Sequence, residues 1–185
     1  MATEKQEMLS KVPAVTLGFW IIKILATTLG ETGGDAVTMS WLGETTAAAK
    51  GTGYLLGTAI FGIIFLAAVL VQVKATKFHP FLYWITIVAT TTVGTTLADY
   101  ADRSLGIGYA GGSLILATLV ALSLGLWYWT IGSVSVNSIT SKKVEVFYWI
   151  TFTFSPTLGT ALEHGMAAPV LGYRGGSLVF ASGRP

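Results

Sequence analysis

Lys23, Thr27, Glu31 and Asp35 recur at four-residue intervals within FWIIKILATTLGETGGD, residues 19–35. That spacing puts side chains on one face of a helix, so a cation, a hydroxyl and two carboxylates form a polar stripe on an apolar rod. Such a stripe can attract a small cation, bind a polar solute or relay protons. It can equally pair with neighbouring helices for purely structural ends. Lys23 is the sharpest member. At 1.5 Å rise per residue it sits about 12 Å from Glu31 along the axis, too far for an ion pair. A charge near a bilayer centre costs roughly 2.5–3.5 kcal/mol and faces a partner or a cavity. The compensating group is then an acid on another helix, or water.

Two corresponding stripes follow: Ile87, Thr91, Thr95 and Asp99, then Phe152, Pro156, Thr160 and His164. The threonines read first as packing residues whose hydroxyls bond backbone or a neighbouring helix, and second as the lining of a wet path. Asp35 and Asp99 each stand five residues after a glycine, Gly30 and Gly94, which is expected to loosen the helix end. If the copies surround a common axis, these carboxylates converge as a cation-attracting ring, suited to protons, alkali metals or hard divalent ions. Otherwise they are solvated loop residues, as Asp102 and Arg103 are expected to be.

The elements that carry these residues follow from composition. Hydrophobic residues make up 52% of the 185-residue chain and charged residues only 11%, with mean hydropathy +0.68. Soluble domains carry about 25% charged residues, so the pattern is that of a polytopic membrane protein. Five stretches are long enough to cross a bilayer: 13–30, 53–73, 81–98, 107–132 and 146–162. A sixth starts at Val170 and meets the end of the chain before a full crossing. Runs such as AIFGIIFLAAVLV are apolar on every face, which excludes a transmembrane barrel and leaves helices. The polar opening MATEKQEMLSK does not read as a cleavable signal peptide. Lys5, Lys11, Lys74, Lys77, Lys142 and Lys143 fall on one side, against Lys50, Arg103 and at most Arg174 on the other. The basic excess predicts a cytoplasmic N-terminus.

The chain repeats itself. Trp20, Trp84 and Trp149, 64 and 65 residues apart, open matching segments with threonine eight positions on (Thr28, Thr92, Thr157) and glycine ten positions on (Gly30, Gly94, Gly159). Fifteen positions on stand Asp35, Asp99 and His164. A second motif opens each even-numbered span: GYLLG at 53–57, GYAGG at 108–112, GYRGG at 172–176. Gly53 and Gly57, Gly108 and Gly112, and Gly172 and Gly176 have the spacing that lets helices approach closely. Two helices per copy make the repeats parallel. The expected architecture is one all-α membrane domain over 1–185: a polytopic transmembrane bundle of five to six spans. Repeat 1 covers about 11–76, repeat 2 about 77–141 and an incomplete repeat 3 about 142–185.

This register resembles an uncharacterised bacterial membrane-anchored protein family built from tandem two-span repeats of unknown function. The resemblance implies four copies, against about two and a half here, so a truncated family member is one expectation. It implies architecture and carries no activity with it. The location expected is the bacterial inner membrane, with the lipid bilayer as partner and a homo-oligomer left open.

Enzyme readings find little support. His79 and His164 fall on opposite predicted faces, and HExxH, P-loop and GxSxG motifs are absent. The glycines at 106–112 open an apolar helix with no strand before them, unlike a dinucleotide loop. No cofactor is implied, and no basic patch points to nucleic acid. Movement of a small cation or polar solute leads, with Lys23, Thr27, Glu31, Asp35, Thr91, Thr95 and Asp99 as its candidate path. A non-transporting scaffold or assembly subunit is the alternative.

Overall fold

The computed structural model describes residues 11–45, 51–136, 139 and 141–166. Among them five α-helices follow one another: α1 (Leu17–Asp35), α2 (Thr52–Lys74), α3 (Pro80–Asp99), α4 (Gly108–Ile131) and α5 (Lys142–Met166). The described residues contain no strand, so the chain is all-helical as expected. α1 and α3 each run on into a π-helical segment, Ala36–Trp41 and Tyr100–Ser104. The two segments begin 64 residues apart, the same interval as Trp20 to Trp84.

Local chemistry sets the helix ends. The Thr16 hydroxyl accepts the Phe19 N–H at 3.2 Å and starts α1, an ordinary N-cap. Pro80 opens α3, where its missing N–H costs nothing. The Glu44 carboxylate accepts the N–H groups of Gly51, at 3.0 Å, and of Gly53. A negative charge therefore sits on the positive end of α2. Gly132, at φ +81°, closes α4 and donates to the Tyr128 carbonyl at 2.7 Å. An L side chain would be strained there.

α3 is the centre. It packs against α1, α2 and α5, and α4 packs on α5. Most of α3 is buried, including Thr86, Thr90, Thr91, Thr92, Thr95, Thr96 and Asp99. The hydroxyls of Thr86, Thr90, Thr91 and Thr92 donate to the carbonyls four residues back at 2.6–3.0 Å. This internal bonding lets a threonine-rich helix occupy an apolar interior.

Gly30 and Gly94 do not loosen their helices, contrary to expectation. A Cβ on Gly30 would lie 2.9 Å from Thr91 Cβ and from the Val88 carbonyl, and one on Gly94 would strike the Thr157 side chain. These glycines bring α1 and α5 onto α3, and the helices that carry them, α1 and α3, continue through them.

Among the described residues three helices are long and apolar enough to cross a membrane: α2, α3 with its π continuation, and α4. Five such spans were expected. Lys23, Glu31 and the threonines and glycines dilute α1, while lysines, glutamates, threonines and Pro156 dilute α5. α2 and α4 turn large apolar side chains outward, among them Ile63, Leu66, Leu114 and Leu122, as a lipid-facing surface would.

The GYxxG glycines differ among themselves. Added Cβ atoms on Gly53 and Gly57 would meet Glu44 and Thr38, and one on Gly112 would meet Asp102. What they accommodate is thus the side chain of the preceding connection, where a neighbouring helix backbone was expected. Gly108 has φ +72° and nothing near its Cβ position, so it turns the chain into α4 and packs nothing. Gly172 and Gly176 lie outside the described residues.

Candidate functional site

Positions that correspond in the repeat face one another in space. The Tyr83 and Tyr148 hydroxyls meet at 2.7 Å in the interior, and each directly precedes its repeat tryptophan. Phe19, their counterpart in the first copy, packs on Trp84 with centroids 5.6 Å apart. One turn further on, the Lys23 ammonium stands 4.2 Å from the centroid of the Phe152 ring, again at matching positions. Two turns beyond, Thr160 donates to Glu31 Oε1 at 2.7 Å, a third matched pair.

α1 and α5 thus flank α3 and touch each other through long side chains. Val88, Thr91 and Thr92 meet α1 at Gly30, while Tyr83 and Gly94 meet α5. At about 100° per residue Thr95 falls between those two faces of α3. Lys23, Thr27 and Glu31 stand on α1, and Phe152 and Thr160 on α5. Most hydroxyls here are satisfied: Thr27 donates to the Lys23 carbonyl at 2.9 Å and Thr91 to the Ile87 carbonyl at 3.0 Å. Thr95 is 1% exposed, and its Oγ1 has no hydrogen-bond partner among the described residues. It shares its repeat position with Glu31 and Thr160, so the layer holding an orphaned hydroxyl also holds a carboxylate.

The sequence asked for an acid or water beside Lys23. Among the described residues no carboxylate lies within ion-pair distance of its ammonium. The Phe152 ring supplies about 0.5–2 kcal/mol of cation–π attraction, less than the roughly 2.5–3.5 kcal/mol that burying a charge in a membrane costs. Lys23 also borders an open cavity of 620 Å³, walled by residues including Phe19, Trp20, Tyr148 and Phe152.

Asp99 is buried, and its Oδ1 pairs with Arg103 Nε at 2.9 Å. Arg103 also donates to the Tyr54 hydroxyl at 3.2 Å and bonds Tyr109. The tyrosines of the first two GY motifs thereby converge on one guanidinium. Asp102 is buried against Gly112. Asp102 is thus not the solvated loop residue that the sequence implied, whereas Arg103 keeps an exposed side chain while it pairs with Asp99. Asp35 ends α1 half-buried, and the His164 side chain lies outside the described residues.

Two stretches, 18–78 and 82–133, match the family described as Repeat of Unknown Function (DUF347). The chain belongs to this family. Each match in this repeat protein takes in an odd-numbered helix, its π continuation and most or all of the following even-numbered helix. The first copy therefore supplies Lys23 and Glu31, and the second supplies Thr91, Thr95 and the Asp99–Arg103 pair. No curated protein and no solved structure matches the chain.

A second polar cluster escaped the sequence reading. Lys11, counted in the sequence only toward the basic excess, is 7% exposed. Its ammonium bonds the carbonyls of Gln72, Val73 and Ala75 at 3.1, 3.3 and 2.8 Å and forms an ion pair with Glu145. It fastens the N-terminal segment to the end of α2 and the start of α5. Sequence offers no signal for it, because 134 residues separate the two charges.

Proposed function

We propose that this repeat protein crosses the bacterial inner membrane five times, N-terminus cytoplasmic, in parallel two-helix repeats, and moves a small polar solute or cation between α1, α3 and α5. The parallel arrangement draws support from the contacts between like positions, Tyr83 with Tyr148 and Glu31 with Thr160. The orientation rests on the basic excess at one end of the bundle. The observation that carries the functional reading is the convergence of Lys23, Glu31, Thr91, Thr95 and Thr160 between helices of an apolar scaffold. Glu31 is the group that meets the solute, and Asp99, held by Arg103, sets the shape of the outer end. The reading treats the chain as a non-enzyme that needs no cofactor.

Flux into liposomes reconstituted with the full chain tests this. Glu31→Gln is expected to lower flux about tenfold, the loss of one charge-assisted contact. Thr28→Val, on the exposed face of α1, leaves it unchanged. Equal flux in wild type and Glu31→Gln, or none with any ion or solute tried, ends the proposal. A scaffold role is the second reading, favoured by the internal bonding of Glu31 to Thr160 and of Asp99 to Arg103. It predicts that Glu31→Gln lowers folded yield and that no solute stabilises the purified protein.

A further inference from the structure

We propose that the cavity over Lys23 binds an anionic amphiphile, a single carboxylate on an apolar body. Three observations converge on this class. The volume, 620 Å³, suits a small organic molecule, whose sites run from about 300 to 1,000 Å³. The walls are aromatic and aliphatic, with Phe19, Trp20, Tyr148 and Phe152 around the ammonium and Val12 and Val15 further along. Among the described residues that line the cavity Lys23 is the charged one, and no described carboxylate neutralises it.

A cationic ligand would meet an ammonium with nothing to offset it. A neutral apolar one would leave that charge unpaired and strip it of water. A carboxylate takes the place of the absent acid and accepts from the ammonium, while its hydrocarbon covers the rings that now border open space. The ring of Phe152 lies 4.2 Å from the same ammonium, so the cation is held in place before the ligand arrives. Glu31, two helical turns deeper, is bonded to Thr160 and does not compete for Lys23. The site stands whether or not the helix bundle conducts.

Trp20 lines the cavity and reports on it. The full chain in neutral maltoside micelles is titrated with octanoate, octanol and octylammonium while tryptophan fluorescence is followed. Octanoate is expected to saturate at a concentration about tenfold below octanol, given the cost of an unpaired intramembrane charge, and octylammonium is expected not to saturate. Lys23→Met abolishes the preference for octanoate over octanol, and Lys23→Arg keeps it. Ala14→Trp, which fills the cavity from its rim, removes both responses without touching the charge, and so serves should Lys23→Met fail to fold. Equal affinity for octanoate and octanol in the wild type, or a preference that survives either Lys23→Met or Ala14→Trp, overturns the proposal. Saturation by dihexanoyl phosphatidylglycerol below the octanoate concentration overturns the carboxylate assignment in favour of a lipid headgroup.

Discussion

The cluster around Lys11 yields a prediction whose magnitude follows from its geometry. An ammonium has three protons, and Lys11 offers them to four acceptors: the carbonyls of Gln72, Val73 and Ala75, and the Glu145 carboxylate. Gln72 and Val73 are in the last turn of α2, where carbonyls have no helical donor. Glu145 is 1% exposed. Lys11→Met therefore strands a buried carboxylate and uncaps a helix, and should destabilise by about 3–5 kcal/mol, the range for breaking a buried pair by removing one partner.

Glu145→Gln is not equivalent. The remaining ammonium still faces three carbonyls at the negative end of a helix, so this change should cost only about 1–3 kcal/mol. The double variant carries no stranded charge and should be more stable than Lys11→Met alone by about 1–2 kcal/mol. Unfolding in maltoside micelles with rising dodecyl sulfate, followed by tryptophan fluorescence, measures all three. Equal losses in the two single variants, or a double variant that falls by their sum, would refute the assignment of Lys11 as both cap and counter-ion.

Other expectations are briefer. Tyr83→Phe and Tyr148→Phe each leave one buried hydroxyl without its 2.7 Å partner and should cost about 1–2 kcal/mol, while the double variant costs little more than either. Gly30→Ala drives a methyl to 2.9 Å from Thr91 and Val88 and should lower stability by about 1–3 kcal/mol. Gly33→Ala, with nothing within 4 Å of the new atom, should raise it by about 0.5–1 kcal/mol. Both are read by thermal unfolding in micelles. Thr95→Val removes a buried hydroxyl that has no partner among the described residues. It should be neutral to stability, and a loss above about 1 kcal/mol would instead reveal a bound water or solute at the Glu31 layer.

Periodicity carried most of the architecture. The stretch 53–73 became α2 (Thr52–Lys74) and 107–132 became α4 (Gly108–Ile131), because uniformly apolar runs bounded by glycines and charges leave little freedom in where a helix starts and stops. The stripe of Lys23, Thr27, Glu31 and Asp35 was legible too, since a four-residue spacing is a statement about one helix. What a stripe faces is a statement about two. Nothing in the order of residues says that Lys23 meets a ring, that Thr160 reaches Glu31, or that Arg103 turns back on Asp99. Glu44 shows the same limit: its carboxylate caps α2 from seven and nine residues upstream, further than any local capping pattern.

Duplication itself constrains where chemistry can reside. When copies pack with like positions facing, a residue present in every copy meets its own kind on the shared axis. Tyrosine tolerates this, because one hydroxyl donates while the other accepts, as at Tyr83 and Tyr148. A lysine or glutamate does not, since like charges in a poorly hydrated interior repel strongly. Two layers respect that limit. The Lys23 layer reads Lys, Ile, Phe across the three copies, and the Glu31 layer reads Glu, Thr, Thr. Each of these layers holds one charge, and the third copy presents a group that accommodates it: the Phe152 ring for the cation, the Thr160 hydroxyl for the anion. Where two copies do share an acid, at Asp35 and Asp99, Arg103 pairs with Asp99. The shared residues build the scaffold, and the places where the first copy departs from the other two are where a ligand would find something to bind. Putting a second charge into a layer, as Ile87→Lys would beside Lys23, should therefore abolish folding, whereas Ile87→Phe, which repeats the residue at 152, should be tolerated. Equal folded yields of these two variants, measured by size-exclusion chromatography in detergent, would show that the layers do not face one another.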